Sequence, residues 1–146
     1  MFEGFDEVQI ETSGTTINLV RGGDGPPVLL LHGYPQTHVM WHKVAPLLAD
    51  RFTVVAPDLR GYGDSAKPPS DGDLEVYCKR TTAQDQVEVM AELGFESYHL
   101  VGHDRGARVG HRMALDHPEH VMSFTSLDVV ASQAAFEAMD ADLSFA

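Results

Sequence analysis

A carboxylate beside two cations, at a tight turn, can displace a leaving group from a saturated carbon and form an alkyl-enzyme ester. The run Gly102-His103-Asp104-Arg105-Gly106 carries the residues for this. It has the form Gly-x-nucleophile-x-Gly of a nucleophile elbow, a strand-to-helix reversal that lifts one side chain above a sheet. The flanking glycines answer to the tightness of such a turn. At a helix N-terminus, with cations nearby, Asp104 is expected to stay charged. Asp is also a favoured helix N-cap, an alternative that carries no chemistry. Arg105 and Arg108 are three apart, and Arg108 is four residues from Asp104, so on a helix they occupy neighbouring positions of one face. Two guanidinium groups there could clamp a substrate carboxylate and hold its α-carbon near Asp104. The alternative for either arginine alone is a pair with a surface acid.

The elements that must position these residues follow from the pattern of apolar positions. Tyr98 to Gly102 is a buried strand, and a helix runs from about Asp104 to Asp116, ending before Pro118. Upstream, Val8–Glu11 and Thr15–Arg21 flank Ser13-Gly14 as a hairpin. Val28–Leu31 and Phe52–Ala56 read as strands buried on both faces. Between them Trp41, Val44, Leu47 and Leu48 recur at helical spacing. Asp58–Asp73 reads as a long loop, and a helix runs from Thr81 to about Leu93 with Gly94 as its C-cap. Val121–Val130 gives another strand, followed by a weak helical stretch, Ser132–Met139. Alternating strands and helices predict an α/β fold with a mostly parallel sheet covered on both faces.

Composition narrows the partners. The 146 residues carry a net charge of −12, which repels nucleic acid and anionic membranes and leaves a small molecule as the expected partner. A small anionic substrate would be repelled too, unless its site supplies local positive charge, as Arg105 and Arg108 would. No apolar run approaches the roughly 20 residues needed to cross a bilayer, and the N-terminus lacks the layout of a signal peptide. The single cysteine, Cys78, fits a reducing compartment, so a cytoplasmic protein is expected.

Three segments in order, Leu31-His32-Gly33-Tyr34-Pro35, Pro57-Asp58-Leu59-Arg60-Gly61-Tyr62-Gly63-Asp64-Ser65 and Val101-Gly102-His103-Asp104-Arg105-Gly106-Ala107-Arg108, resemble the α/β-hydrolase fold. They are most similar to its aspartate-nucleophile branch of epoxide hydrolases and dehalogenases. Within that branch, Asp-Arg-x-x-Arg resembles the fluoroacetate (haloacetate) dehalogenases. The resemblance implies hydrolytic dehalogenation of short 2-haloacids, with Asp104 as nucleophile and Arg105 and Arg108 binding the substrate carboxylate. It implies an oxyanion hole from the amides of Tyr34 and Arg105, with His32 shaping the loop. Asp128 matches the acid that orients the catalytic histidine, the alternative being a helix cap or solvated loop acid. The family's base histidine comes late, after a cap domain and two more strands, and every histidine here precedes that region. We therefore expect the chain to be the N-terminal part of the fold. Residues 1–131 would belong to the core and 132–146 to the start of a cap, truncated before the last strands. An epoxide hydrolase of the same fold and a non-catalytic hydrolase-like fragment remain alternatives, and a homodimer is compatible with each.

Other signals carry less. Gly61-Tyr62-Gly63-Asp64-Ser65-Ala66 mimics a dinucleotide fingerprint, but Pro68-Pro69 follows where a helix should run. His38 and His42 have the spacing of a helical zinc pair without a third ligand and read as surface histidines. No metal and no cofactor are expected.

Overall fold

The structure, a computed structural model, describes residues 1–129. Val130, the helical stretch Ser132–Met139 and the expected cap segment 132–146 lie outside the described residues. The first two strands, β1 (Asp6–Glu11) and β2 (Thr16–Gly22), form the expected hairpin, with Ile10 opposite Ile17 and Val8 opposite Leu19. Four further strands follow: β3 (Pro27–Leu31), β4 (Thr53–Pro57), β5 (Tyr98–His103) and β6 (Val121–Leu127). The sheet order is β1-β2-β4-β3-β5-β6. From β4 to β6 every pairing is parallel, and the hairpin joins antiparallel through β2 and β4.

Three helices, α1 (Ala45–Ala49), α2 (Lys79–Glu92) and α3 (Arg105–Asp116), cover the sheet. The side-chain alternation of β3 decides the two cores. Leu29 and Leu31 join Val89, Met90, Val109 and Met113 from α2 and α3 on one face. Val28 and Leu30 join Trp41 and Ala45 on the other. A strand buried on both faces must be apolar at every position, which is why Val28–Leu31 is an unbroken run.

Two expectations are corrected. The helix inferred from Trp41, Val44, Leu47 and Leu48 is a 3-10 turn, His38–Trp41, followed by the five-residue α1. Pro46 supplies the reason. It cannot donate into a helix interior and is tolerated only in a first turn, so the helix restarts there. Val44 and Leu47 are exposed as a result, while Trp41 is buried. Helix α2 begins two residues before Thr81, with Cys78 as its N-cap and its sulfur accepting the Thr81 N–H at 3.4 Å.

The long loop after β4 is held by buried charge. Asp58 Oδ1 accepts the His38 backbone N–H at 2.7 Å and lies 2.9 Å from His38 Nδ1, and Oδ2 accepts the Asp64 N–H at 2.9 Å. Arg60 forms a two-pronged pair with Asp85 of α2, Nε to Oδ2 and Nη2 to Oδ1, both at 2.6 Å. Its remaining arm donates to the Val76 carbonyl at 2.6 Å. His38 is thus a buried partner of Asp58, not a surface histidine, and His42 turns instead to the Val39 carbonyl.

Two predictions follow from these pairs. Asp85→Asn strands the Arg60 guanidinium, and the loss of a buried partner should cost about 3 kcal/mol. It would be read as a lower urea midpoint at an unchanged slope; a loss below about 1 kcal/mol would show the pair to be no stronger than a surface bridge. The second concerns pH. The hydrogen bond that the His38 ring donates to Asp58 outweighs burial and raises His38 above its ordinary 6.5. Burial pushes Asp58 up from 3.8, but the His38 side chain and the His38 and Asp64 amides bring it below that value. A raised histidine stabilises fully below its unfolded pKa and loses this as pH rises through the folded value; a lowered carboxylate loses its contribution as pH falls through its own. The stability difference between wild type and His38→Asn should therefore be greatest between 3.8 and 6.5 and shrink as pH rises further. A difference independent of pH above 6.5 would refute the pairing.

Candidate active site

The reversal from β5 into α3 turns on one residue. Asp104 has φ 49° and ψ −113°, a left-handed backbone that non-glycine residues rarely adopt. The chain can make this turn because residue 106 is glycine: a Cβ there would stand 2.4 Å from the Leu31 carbonyl oxygen. The Asp104 carbonyl accepts the Ala107 N–H at 3.1 Å and so starts α3, while its own N–H donates to Leu127 at the end of β6, also at 3.1 Å. Its side chain makes no cap to the helix. That removes the helix-cap alternative and leaves the carboxylate directed elsewhere.

It is directed at the loop after β3. Because β3 and β5 are neighbours in the sheet, the loops leaving their C-terminal ends meet. The Tyr34 N–H donates to Asp104 Oδ1 at 2.8 Å. Gly33 permits this approach, since a Cβ at that position would lie 2.6 Å from Asp104 Cβ. His32, fully buried, holds the loop from beneath. Its Nδ1–H donates to the Gly33 carbonyl at 2.9 Å, and Nε2 accepts the Leu59 N–H at 2.9 Å. Burial keeps this imidazole below its ordinary pKa and neutral, as the acceptor role requires. For Asp104, burial alone would raise the pKa. The amides of Tyr34 and Arg105, with the charges of His103 and Arg105, outweigh it and hold the carboxyl below its ordinary value.

Asp104 opens into a cavity of about 890 Å³, with Arg105 and Arg108 on its wall. Among the described residues neither arginine forms an ion pair with a carboxylate. The Arg105 guanidinium lies over the Tyr34 ring, 5.2 Å from its centroid. Lys67 and Lys79 line the same space, and Asp104 is the only acid in the described lining. The sequence reading missed both lysines, because neither belongs to a motif and only the path of the long loop and the start of α2 bring them here. Lys67 is partly spoken for, donating to the Gly63 and Ser65 carbonyls at 2.8 and 2.9 Å.

Asp128 follows β6 with φ 53° and an exposed side chain. It does not cap a helix of the described residues. Its Oδ2 lies 3.7 Å from His103 Nε2, and His103 Nδ1 is 3.2 Å from Gln36 Oε1. Thus Tyr34, Asp104, Arg105 and Arg108 share one cavity, and Asp128 stands at the adjoining strand end, behind the elbow.

Known proteins resemble this chain in sequence and fold. A fluoroacetate dehalogenase from Burkholderia sp is 55% identical over 140 residues, covering 96% of this chain and 46% of that protein. A soluble epoxide hydrolase from Corynebacterium sp. (strain C12) is 41% identical over 122 residues, 84% of this chain and 41% of the relative. A solved structure assigned to the α/β hydrolases, from Nostoc sp PCC 7120, superposes with a TM-score of 0.94 at 55% identity, over 99% of this chain and 50% of that one. An epoxide hydrolase from Vigna radiata does so at 0.81 and 33% identity, over 90% of this chain and 40% of that one. The chain spans about half the length of the curated relatives it matches. Residues 26–145 match the α/β hydrolase fold family, and with the parallel sheet and the elbow at Asp104 this chain belongs to it.

Proposed function

We propose that this chain carries the nucleophile half of a hydrolytic dehalogenase acting on short 2-haloacids such as haloacetate. The observation that carries the reading is a single carboxylate, held charged on a backbone amide, in a cavity whose other charged lining residues are cations. The likeness to the Burkholderia fluoroacetate dehalogenase supports it.

In this reading Arg105 and Arg108 take the substrate carboxylate, which sets the α-carbon before Asp104. One carboxylate oxygen attacks that carbon, and the halide departs with the electrons of the broken carbon–halogen bond. The other oxygen, Oδ1, becomes the ester carbonyl oxygen and stays on the Tyr34 amide. When water attacks the acyl carbon, charge develops on that oxygen, and the amides of Tyr34 and Arg105 act as the oxyanion hole. The attack on water's proton needs a base. Asp128 holds the acid position that orients a catalytic histidine, and the imidazole it faces among the described residues is that of His103. Residues 1–131 belong to the core and 132–146 to the start of a cap in the same reading. A cytoplasmic setting, no nucleic-acid or membrane partner, and a homodimer as a compatible assembly complete it. Among the described residues no helix is long and apolar enough to cross a membrane.

An epoxide hydrolase is the second reading, supported by the Corynebacterium relative. Asp104 would open the epoxide ring by the same attack, and substrate charge separates the two.

Incubation with bromoacetate and fluoroacetate should release halide, at least one equivalent per chain with a carboxymethyl group on Asp104, and Asp104→Asn should abolish both. Turnover of styrene oxide without any reaction of haloacetates would reverse the order of the two readings. No reaction with either would make the chain a non-catalytic fragment. The arginines give a sharper test. Hydrogen bonds to charged groups contribute about 1.5–3 kcal/mol, so Arg105→Lys and Arg108→Lys should each slow alkylation by bromoacetate roughly 10- to 100-fold. The uncharged bromoacetamide should react at nearly the wild-type rate. Equal losses on both reagents would mean that the arginines shape the site without reading the carboxylate.

A further inference from the structure

Past the end of α3 the chain turns through His117-Pro118-Glu119-His120 before entering β6. One ligand atom from each of His117, Glu119 and His120 lies within 4.8 Å of the others. The donors are held by the fold. The His120 N–H donates to the His117 carbonyl at 3.1 Å, and the His120 carbonyl accepts the Tyr98 N–H at the start of β5 at 2.9 Å. The His120 ring stacks on Tyr98, with centroids 6.5 Å apart and planes within 6°.

The orientation of the His120 ring suits a metal ligand. Its Nδ1 is 2.6 Å from the Glu96 carbonyl oxygen, which can only accept, so Nδ1 carries a hydrogen. Nε2 is left facing Glu119 Oε1 at 3.6 Å. An imidazole tied to a backbone carbonyl through one nitrogen, with the other free, is how proteins orient metal-binding histidines. His117 stands beside it, the two rings 6.1 Å apart, and offers a third donor.

We propose that His117, Glu119 and His120 form a site for a divalent transition metal, zinc above all. Two imidazole nitrogens and one carboxylate oxygen suit zinc, with water in the fourth position. Zinc bonds of about 2.0–2.1 Å draw ligand atoms closer together than 4.8 Å, so binding requires small adjustments of these side chains, of which Glu119 is exposed. The site lies at the opposite end of α3 from Asp104, and twelve residues of helix span about 18 Å. A bound ion would therefore pin the turn between α3 and β6 and strengthen the fold, without touching the reaction.

Zinc titration of the chelator-stripped full chain by calorimetry tests this near neutral pH, with the visible spectrum of the cobalt-substituted protein as a second readout. We expect one saturable equivalent, a four-coordinate cobalt spectrum and a higher melting temperature with zinc. Glu119→Gln and His117→Asn should each weaken binding at least roughly tenfold while leaving the metal-free melting temperature unchanged. Absence of saturable binding, or binding that survives both substitutions undiminished, would overturn the site.

Discussion

Everything at the cavity depends on presenting a charged carboxylate at the top of a sheet without losing its hydration uncompensated. Burial disfavours a charged carboxylate, and desolvation alone would raise the pKa of the half-buried Asp104. Here the backbone replaces the lost water. Asp104 Oδ1 rests on the Tyr34 amide at 2.8 Å, and the start of α3 adds its own positive end. The interaction is possible only because β3 and β5 lie side by side although more than sixty residues separate them in the chain. That adjacency brings the β3 loop over the elbow, and glycine at position 33 lets the two backbones come within reach. Ligands of open α/β sheets bind where neighbouring loops leave the carboxyl ends of strands. The same topology serves here.

The loop after β4 is the second support, and its chemistry is structural. Asp58 and Arg60 look like site residues in the sequence, being charged and set among glycines. Both are buried and spent on the fold, Asp58 on His38 and Asp64, Arg60 on Asp85 and Val76. Leu59 donates its N–H to His32, so this loop also holds the histidine that carries the Tyr34 turn. The chain runs from Asp58 through His32 to Asp104 by contiguous hydrogen bonds and short covalent steps.

Much of this was legible from residue order. The elbow could be read at Gly102 and Gly106 because a tight turn leaves a glycine signature and the flanking apolar strand and helix have their own periods. The doubly buried β3 could be read because it tolerates no polar residue. What could not be read depended on contacts distant in sequence. His38 has the spacing of a surface zinc pair, and only the fold brings Asp58 to it. Pro46 was visible, but the strength of the Trp41–Leu48 periodicity hid its effect, and half of that stripe proved to be solvent-facing. Lys67 enters the cavity by the path of a loop that has no pattern to follow, and Lys79 by the start of α2. Asp128 could be placed at a strand end, yet its neighbour His103 belongs to a different strand.

The charge balance sets one further constraint. With a net −12 the protein repels small anions at long range, yet screening limits that field to about 8 Å at physiological salt. Inside the cavity the lining charges decide, and those are the cations Arg60, Lys67, Lys79, Arg105 and Arg108 against Asp104 alone among the described residues. The Arg105 charge that would attract an anion also lowers the basicity of Asp104, and a less basic carboxylate is a weaker nucleophile. The loss is offset if the cations fix the electrophilic carbon beside the attacking oxygen, since well-oriented neighbours react as if at effective concentrations of about 10⁵ M or more. A neutral substrate would suffer the weakened nucleophile without gaining that orientation. In the dehalogenase reading proposed above, an anionic substrate would gain affinity and alignment from the Arg105 charge that restrains Asp104, and an uncharged one would not.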